Sequence, residues 1–190
     1  MLQSIAPPPT KRRFTVAEYY RMADAGILAD GERVELIDGE IIQMSPIGDR
    51  HGGCVRRGNW FLQRAVGDSA MVSVQSPVRL DTRSEPEPDI ALLRWRDDFY
   101  SSGHPTPADV LLLVEIADSS RAYDRQIKVP LYARFGIPEV WLAELGPDTV
   151  TAYRDPTPDG YRTIQVARRG QRLPIPGFPG LEIAVSDLLG

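Results

Sequence analysis

The 190-residue chain is short of most features that assign a protein to a class at once. It has a single cysteine, Cys54, so no internal disulfide and no cysteine-based zinc site can form. That lone thiol is expected to be a small, semi-buried side chain. No apolar run approaches the roughly 18 residues that would mark a membrane span. The longest, around residues 110–114, is strand-sized. The opening stretch MLQSIAPPPTKRR lacks the apolar core of a signal peptide. These absences predict a cytoplasmic protein with no membrane partner. Positive charge is not in excess either. The net charge of −4 argues against strong non-specific binding to nucleic acid, which is driven by phosphate neutralisation. No repeat, interdomain linker, helix-turn-helix or zinc finger is visible.

What remains is an ordinary globular composition, 42% hydrophobic and 25% charged, enough for one core. The expected organisation is a flexible segment over residues 1–13 and a single domain over 14–190. Basic residues cluster locally at Lys11-Arg12-Arg13, Arg56-Arg57, Arg94 with Arg96, and Arg168-Arg169 with Arg172. They are either solvated faces or contacts for phosphate.

Thr15-Val-Ala-Glu18 matches a capping box and opens a helix that Gly26 can end. RVELIDGEIIQM, residues 33–44, reads as a hairpin turning on Asp38-Gly39, because a type I′ turn needs positive φ. Residues 51–66 suit a helix. Strands are expected at 71–75, 77–81, 89–94 and 110–116, with loops at 83–88 and 97–108. A helix follows, capped by Ser119 or Ser120. Pro130 should kink it or start a second short helix, and Gly136 ends it. Residues 139–144 form a strand, 149–154 and 161–166 an antiparallel pair, and the C-terminal stretch is turn-rich with a short final helix. This order implies an α/β domain with a mixed sheet.

Two acids stand out in that frame. Asp89 lies in EPEPDIALL and Glu115 in DVLLLVEIADSS, each in or beside an apolar, strand-like run. An unpaired buried carboxylate is costly, and a divalent cation is the simplest compensation. If the two strands are neighbours, their spacing of about 4.8 Å lets both oxygens share one ion. Magnesium suits hard oxygen ligands, with manganese as a substitute. Glu35, in Val34-Glu35-Leu36-Ile37, is a third acid that either joins the cleft or sits on an edge hairpin. Lys128 either supports developing negative charge or pairs with Asp124 four residues earlier on its helix.

The stretches VELIDGEIIQMSP followed by His51, EPDIALL, and VEIADSSRAYDRQIKVPLYARFGIPEVWL resemble the PD-(D/E)XK nuclease superfamily. More closely, they resemble its Uma2-type restriction endonuclease family, over about residues 15–155. The resemblance implies a restriction-endonuclease-like core: a central mixed β-sheet flanked by helices, here with an N-terminal helix and a β-hairpin added. Carried over by position, Asp89 and Glu115 become metal ligands and Glu35 the extra acid of the site. One departure is clear. A lysine two residues beyond Glu115 would share its strand face, but that position is Ala117, so Lys128 becomes the substitute. His51 either contacts the site or a phosphate or is a structural residue at a helix start, and Gln75 and Tyr132 are either cleft residues or core or surface ones.

The reading that follows is a magnesium-dependent endonuclease hydrolysing DNA phosphodiester bonds, with Glu35, Asp89, Glu115 and Lys128 as its catalytic residues and with Asp89, Glu115 and Glu35 as its metal ligands, Glu35 directly or through water. A two-fold homodimer would suit cleavage of both strands. The alternatives are a catalytically weak or inactive nucleic-acid- or protein-binding module on the same fold, and a metal-dependent hydrolase of small substrates.

Overall fold

The computed structural model describes residues 10–118 and 120–190. Its centre is a six-stranded sheet in the order β3-β4-β5-β6-β7-β8. The strands are β3 (Ala70–Val74), β4 (Ile90–Arg94), β5 (Val110–Ala117), β6 (Glu139–Glu144), β7 (Thr149–Thr157) and β8 (Gly160–Arg168). Every neighbouring pair is antiparallel except β5 and β6, which run parallel from Leu113↔Val140 to Ala117↔Glu144. The sheet is therefore mixed, as the element order implied. β5 lies inside it because VLLLVEIA offers an apolar side chain to both faces at almost every position, the pattern of a strand covered on each side.

Alternation along the strands divides the core in two. Leu112, Val114 and Ile116 of β5, with Trp141 and Ala143 of β6, pack beneath α2 (Asp49–Val66) and the terminal helix α5 (Val185–Leu189). Leu113 and Ala117, with Val140 and Leu142, pack against α4 (Val129–Arg134). Glu115 has the odd-numbered parity and faces that second side. Gly58 lets α2 press onto β4, since a Cβ there would lie 2.4 Å from Ile90 Cδ1. Cys54 packs in the first core, and burial pushes its thiol up to about 12.

Two elements precede α2 and the sheet, and the second of them, a hairpin, covers the second side. Helix α1 (Val16–Asp24) begins with the expected capping box: the Thr15 amide donates to Glu18 Oε2 at 2.9 Å, and the Glu18 amide donates to Thr15 Oγ1 at 3.2 Å. The hairpin of β1 (Val34–Ile37) and β2 (Glu40–Gln43) turns at Asp38 and Gly39, both with positive φ as a type I′ turn demands. All four β1 residues are buried. The Leu36 carbonyl accepts from the Glu85 amide at 2.8 Å, and Ile37 enters the second core. Lys11 and Arg13 both pair with Glu40, so residues 10–13 lie against this hairpin.

The sequence reading needs adjusting in several places. Residues 77–81 are irregular instead of a strand. Their amides bond to Pro86, Ser84 and Pro105, so the prolines on either side leave no ladder to join. Asp89 immediately precedes β4 instead of opening it. The helix after β5 is broken, one of the two outcomes expected of Pro130, into α3 (Arg121–Tyr123) and α4 with Pro130 near the start of the latter; the π-helical turn between them (Asp124–Lys128) is the departure. Of the two proposed caps, Ser119 lies outside the described residues. Strands β9 (Arg172–Pro174) and β10 (Glu182–Ala184) form a small hairpin before α5. Among the described residues, no helix is long and apolar enough to cross a membrane.

Candidate active site

The antiparallel register of β4 and β5 pairs Ile90 with Val114. Continued by one residue, it sets Asp89 opposite Glu115. Both line one cavity of about 470 Å³, together with Glu35, Lys128 and His51. The structure thus gathers every principal candidate from the sequence into a single place. It is recessed: Glu35, Asp89, Glu115 and Lys128 are 3%, 7%, 2% and 4% exposed.

Glu115 is held from the helical side. The Tyr132 hydroxyl donates to its Oε1 at 2.5 Å, and Lys128 Nζ lies 3.2 Å from the same oxygen. Lys128 and Tyr132 are four apart and project from adjoining turns toward β5. Lys128 Nζ is also 3.0 Å from Glu35 Oε2, so one ammonium joins acids from β1 and β5. It bonds to these long-range partners, while Asp124 turns to Ser120, whose hydroxyl donates to Asp124 Oδ2 at 2.5 Å. The position two beyond Glu115, Ala117, is buried in the second core. The amine that a strand lysine would have supplied therefore reaches Glu115 from the π-helical turn.

Asp89 has a separate set of partners. The Ile116 amide donates to Oδ2 at 2.9 Å, Gln75 Nε2 donates to Oδ1 at 3.2 Å, and His51 Nε2 lies 3.0 Å from Oδ2. Gln75 adopts a φ of 46° just after β3, and its amide donates to the Asp89 carbonyl at 3.1 Å. A left-handed residue of this kind costs backbone energy, and its surroundings must fix it. Here its two bonds to Asp89 do so. The Glu87 amide donates to Glu35 Oε2 at 3.1 Å, tying the segment before Asp89 to the hairpin.

Charge in the cavity is out of balance. Burial pushes the Glu115 carboxyl up to about 8; Lys128 opposes this, while Asp124, Asp89 and Glu35 add to it. Burial also raises Asp124 and Glu87. Lys128 behaves in the opposite way. Burial would strip its proton, but Glu115, Glu35 and Asp124 outweigh that and hold it well above the ordinary lysine range. Burial likewise works against ionised Asp89, yet the bonds from His51, Ile116 and Gln75 leave it below its usual value. One ammonium is thus shared among several acids.

A hard divalent cation suits this donor set chemically, since every acidic donor is a carboxylate oxygen. Asp89, just before β4, and Glu115, on β5, face each other across the register. As the side chains stand, no three His, Cys, Asp or Glu groups among the described residues converge as a metal-binding cluster. Lys128 occupies the space between Glu35 and Glu115.

Sequence reasoning missed Arg33, Glu87, Tyr123 and Asp124, which also line the cavity. Two polar atoms of residues in its wall, His51 Nδ1 and Tyr123 Oη, are buried without a hydrogen-bond partner. The alternation of acids in EPEPD was a signal for Glu87. The others depend on how the helical segment and hairpin fold over the strands. The basic clusters are partly neutralised locally: Arg12 pairs with Glu18, Arg96 with Asp98, Arg169 with Asp148 and Arg172 with Glu182.

A six-stranded mixed sheet with helices on its faces is a restriction-endonuclease-like fold. The chain belongs to the Uma2 family, described as "Putative restriction endonuclease", whose family model matches residues 16–186. Among solved structures, it is similar to one from Anabaena variabilis described as "a putative nuclease belonging to DUF820". The TM-score is 0.70 at 18% identity, over 93% of this chain and 97% of that one, a likeness of fold. No curated protein matches the sequence.

Proposed function

We propose that the protein is a divalent-cation-dependent nuclease that hydrolyses phosphodiester bonds in DNA, with magnesium as its natural ion and manganese as a substitute. The observation that carries this reading is the charge imbalance of the cavity, where Glu35, Glu115 and Asp124 act on the single ammonium of Lys128 and Asp89 adds a further carboxylate to the same wall. Family membership supports the reaction class.

Asp89 and Glu115 would hold the ion. When bound, such an ion eases deprotonation of the attacking water and offsets phosphate charge. The protein's own groups do the rest. Lys128, kept protonated by its acidic neighbours, places a fixed positive charge beside the reacting phosphate, where charge grows in the transition state. Tyr132 and Lys128 fix one oxygen of Glu115, while Gln75, His51 and the Ile116 amide fix Asp89. His51 Nδ1, Tyr123 Oη and Arg33 provide polar groups for the substrate. A two-fold homodimer would present one such site to each strand of a duplex.

The test is cleavage of DNA in magnesium by the natural protein, Asp89→Ala and Glu115→Ala. Cleavage by the natural protein alone supports the assignment; equal cleavage by all three removes it. A second reading, a non-catalytic binding module, is favoured by one observation: Lys128 already bridges Glu35 and Glu115. Calorimetry with magnesium or manganese separates the two, because the module needs no cation.

A further inference from the structure

We infer that Glu35 is a positioning residue for Lys128 and not a ligand of the metal; this rests on the nuclease reading above. Glu35 Oε2 already has two partners. It lies 3.0 Å from Lys128 Nζ and accepts from the Glu87 amide at 3.1 Å. The two partners belong to different parts of the site. One is the amine that replaces the missing strand lysine. The other lies two residues before Asp89, in the irregular segment that delivers that ligand to the cavity. Glu35 therefore joins the cationic and anionic halves from outside the sheet.

The placement of Glu35 follows from the hairpin. Ile37 packs into the second core beside Leu113, Ala117 and Tyr132. Glu35, two residues earlier on β1, points the same way, toward the face that carries Glu115. Asp89 and Glu115, by contrast, meet across the β4–β5 register, and among the described residues Asp89 pairs with His51 and with no lysine. A cation between those two leaves the Glu35–Lys128 pair intact. A cation on Glu35 Oε2 would have to displace both Lys128 and the Glu87 amide, whereas on Glu115 the ammonium and the Tyr132 hydroxyl share Oε1 alone. The choice of lysine also fits. Its compact ammonium can be shared by carboxylates on two elements, whereas a guanidinium fork favours two-point contact with one.

The chain makes this testable, because Lys11 and Lys128 are its only lysines. Lys11 is exposed and serves as an internal reference. The natural protein, Glu35→Gln and Asp89→Asn would be compared in three measurements: manganese calorimetry, acylation of each lysine by acetic anhydride read by mass spectrometry, and DNA cleavage. In Glu35→Gln, manganese affinity should fall by no more than about tenfold, the lower end for loss of an outer partner. Acylation of Lys128 relative to Lys11 should rise at least about tenfold, and cleavage should fall about 100-fold. Asp89→Asn should lose more than about 100-fold in manganese affinity.

Loss of manganese affinity in Glu35→Gln as deep as in Asp89→Asn would make Glu35 a ligand and overturn the inference. So would unchanged protection of Lys128. If the natural protein binds no manganese, the nuclease reading fails by itself, and the acylation ratio still decides whether Glu35 holds Lys128. Should Glu35→Gln not fold by circular dichroism, Glu35→Asp takes its place, withdrawing the carboxylate from Lys128 while keeping its charge.

Discussion

Neighbouring strands of this sheet bury glutamates in two different ways. On β6, Glu139 pairs with Arg154 at 2.8 Å and accepts from Trp141 Nε1 at 2.5 Å. Glu144, on the same strand, meets Arg125 at 3.2 Å and the hydroxyls of Thr149 and Thr151. Each of these acids faces a guanidinium. On β5, Glu115 shares one ammonium with Glu35, while Asp124 and Asp89 add further negative charge. Both regions are buried and polar, and both would draw attention in a sequence. The lesson is that burial of an acid does not by itself mark a site. A balanced pair rigidifies the sheet; an overloaded cluster can be relieved by an incoming cation.

The sharpest way to break this contrast is to neutralise the cavity acids. Asp89→Asn and Glu115→Gln should each lower DNA cleavage by roughly 1,000-fold, read by a gel assay; in calorimetric melting Glu115→Gln should change little, while Asp89→Asn should melt lower because its carboxylate accepts from Ile116 and Gln75. A large drop in melting temperature would move Glu115 into the same class as Glu139. Lys128→Met comes next. It removes the one ammonium and leaves buried acids uncompensated, so the fold should lose about 3 kcal/mol and cleavage about 100-fold. Urea unfolding beside the cleavage assay reads both.

Acidity gives a third handle. The fold raises Glu115 from its ordinary 4.5 to about 8, burial being the main cause. A raised acid favours the protonated form. Its stabilising contribution is whole below 4.5 and is lost as pH climbs through about 8. A cation needs the ionised form, so manganese affinity should increase by about tenfold per pH unit until pH reaches about 8. Calorimetry across that range checks it, and Glu115→Gln should flatten the dependence. On β6 the expectation is reversed. Glu139→Gln should cost about 2 kcal/mol and leave cleavage per folded molecule unchanged. Tyr132→Phe is the mildest change, removing one hydrogen bond to Glu115 at about 1 kcal/mol, seen as a small fall in denaturation midpoint.

Much of this arrangement was legible in the chain. The capping box, the Asp-Gly turn and the apolar run interrupted by Glu115 are local signals, and local chemistry decides them. The sheet class followed from element order. The irregular path of residues 77–81 was hidden, because their amides are satisfied by Pro86, Ser84 and Pro105 instead of a partner strand. The π-helical turn was hidden too. A sequence showing Asp124 four residues before Lys128 suggests a simple helix pair, yet the lysine goes to Glu35 and Glu115, 93 and 13 residues away. Glu35 itself could be read as a site acid or an edge residue. Only the hairpin's docking, through Leu36, Ile37 and Glu85, brings it to Lys128.

The most direct test of the account is an anomalous difference map from crystals soaked in manganese. The account predicts one peak between the carboxylates of Asp89 and Glu115, with Lys128 still resting on Glu35. A map with no peak there, or with the ion seated on Glu35 in place of the ammonium, would contradict it.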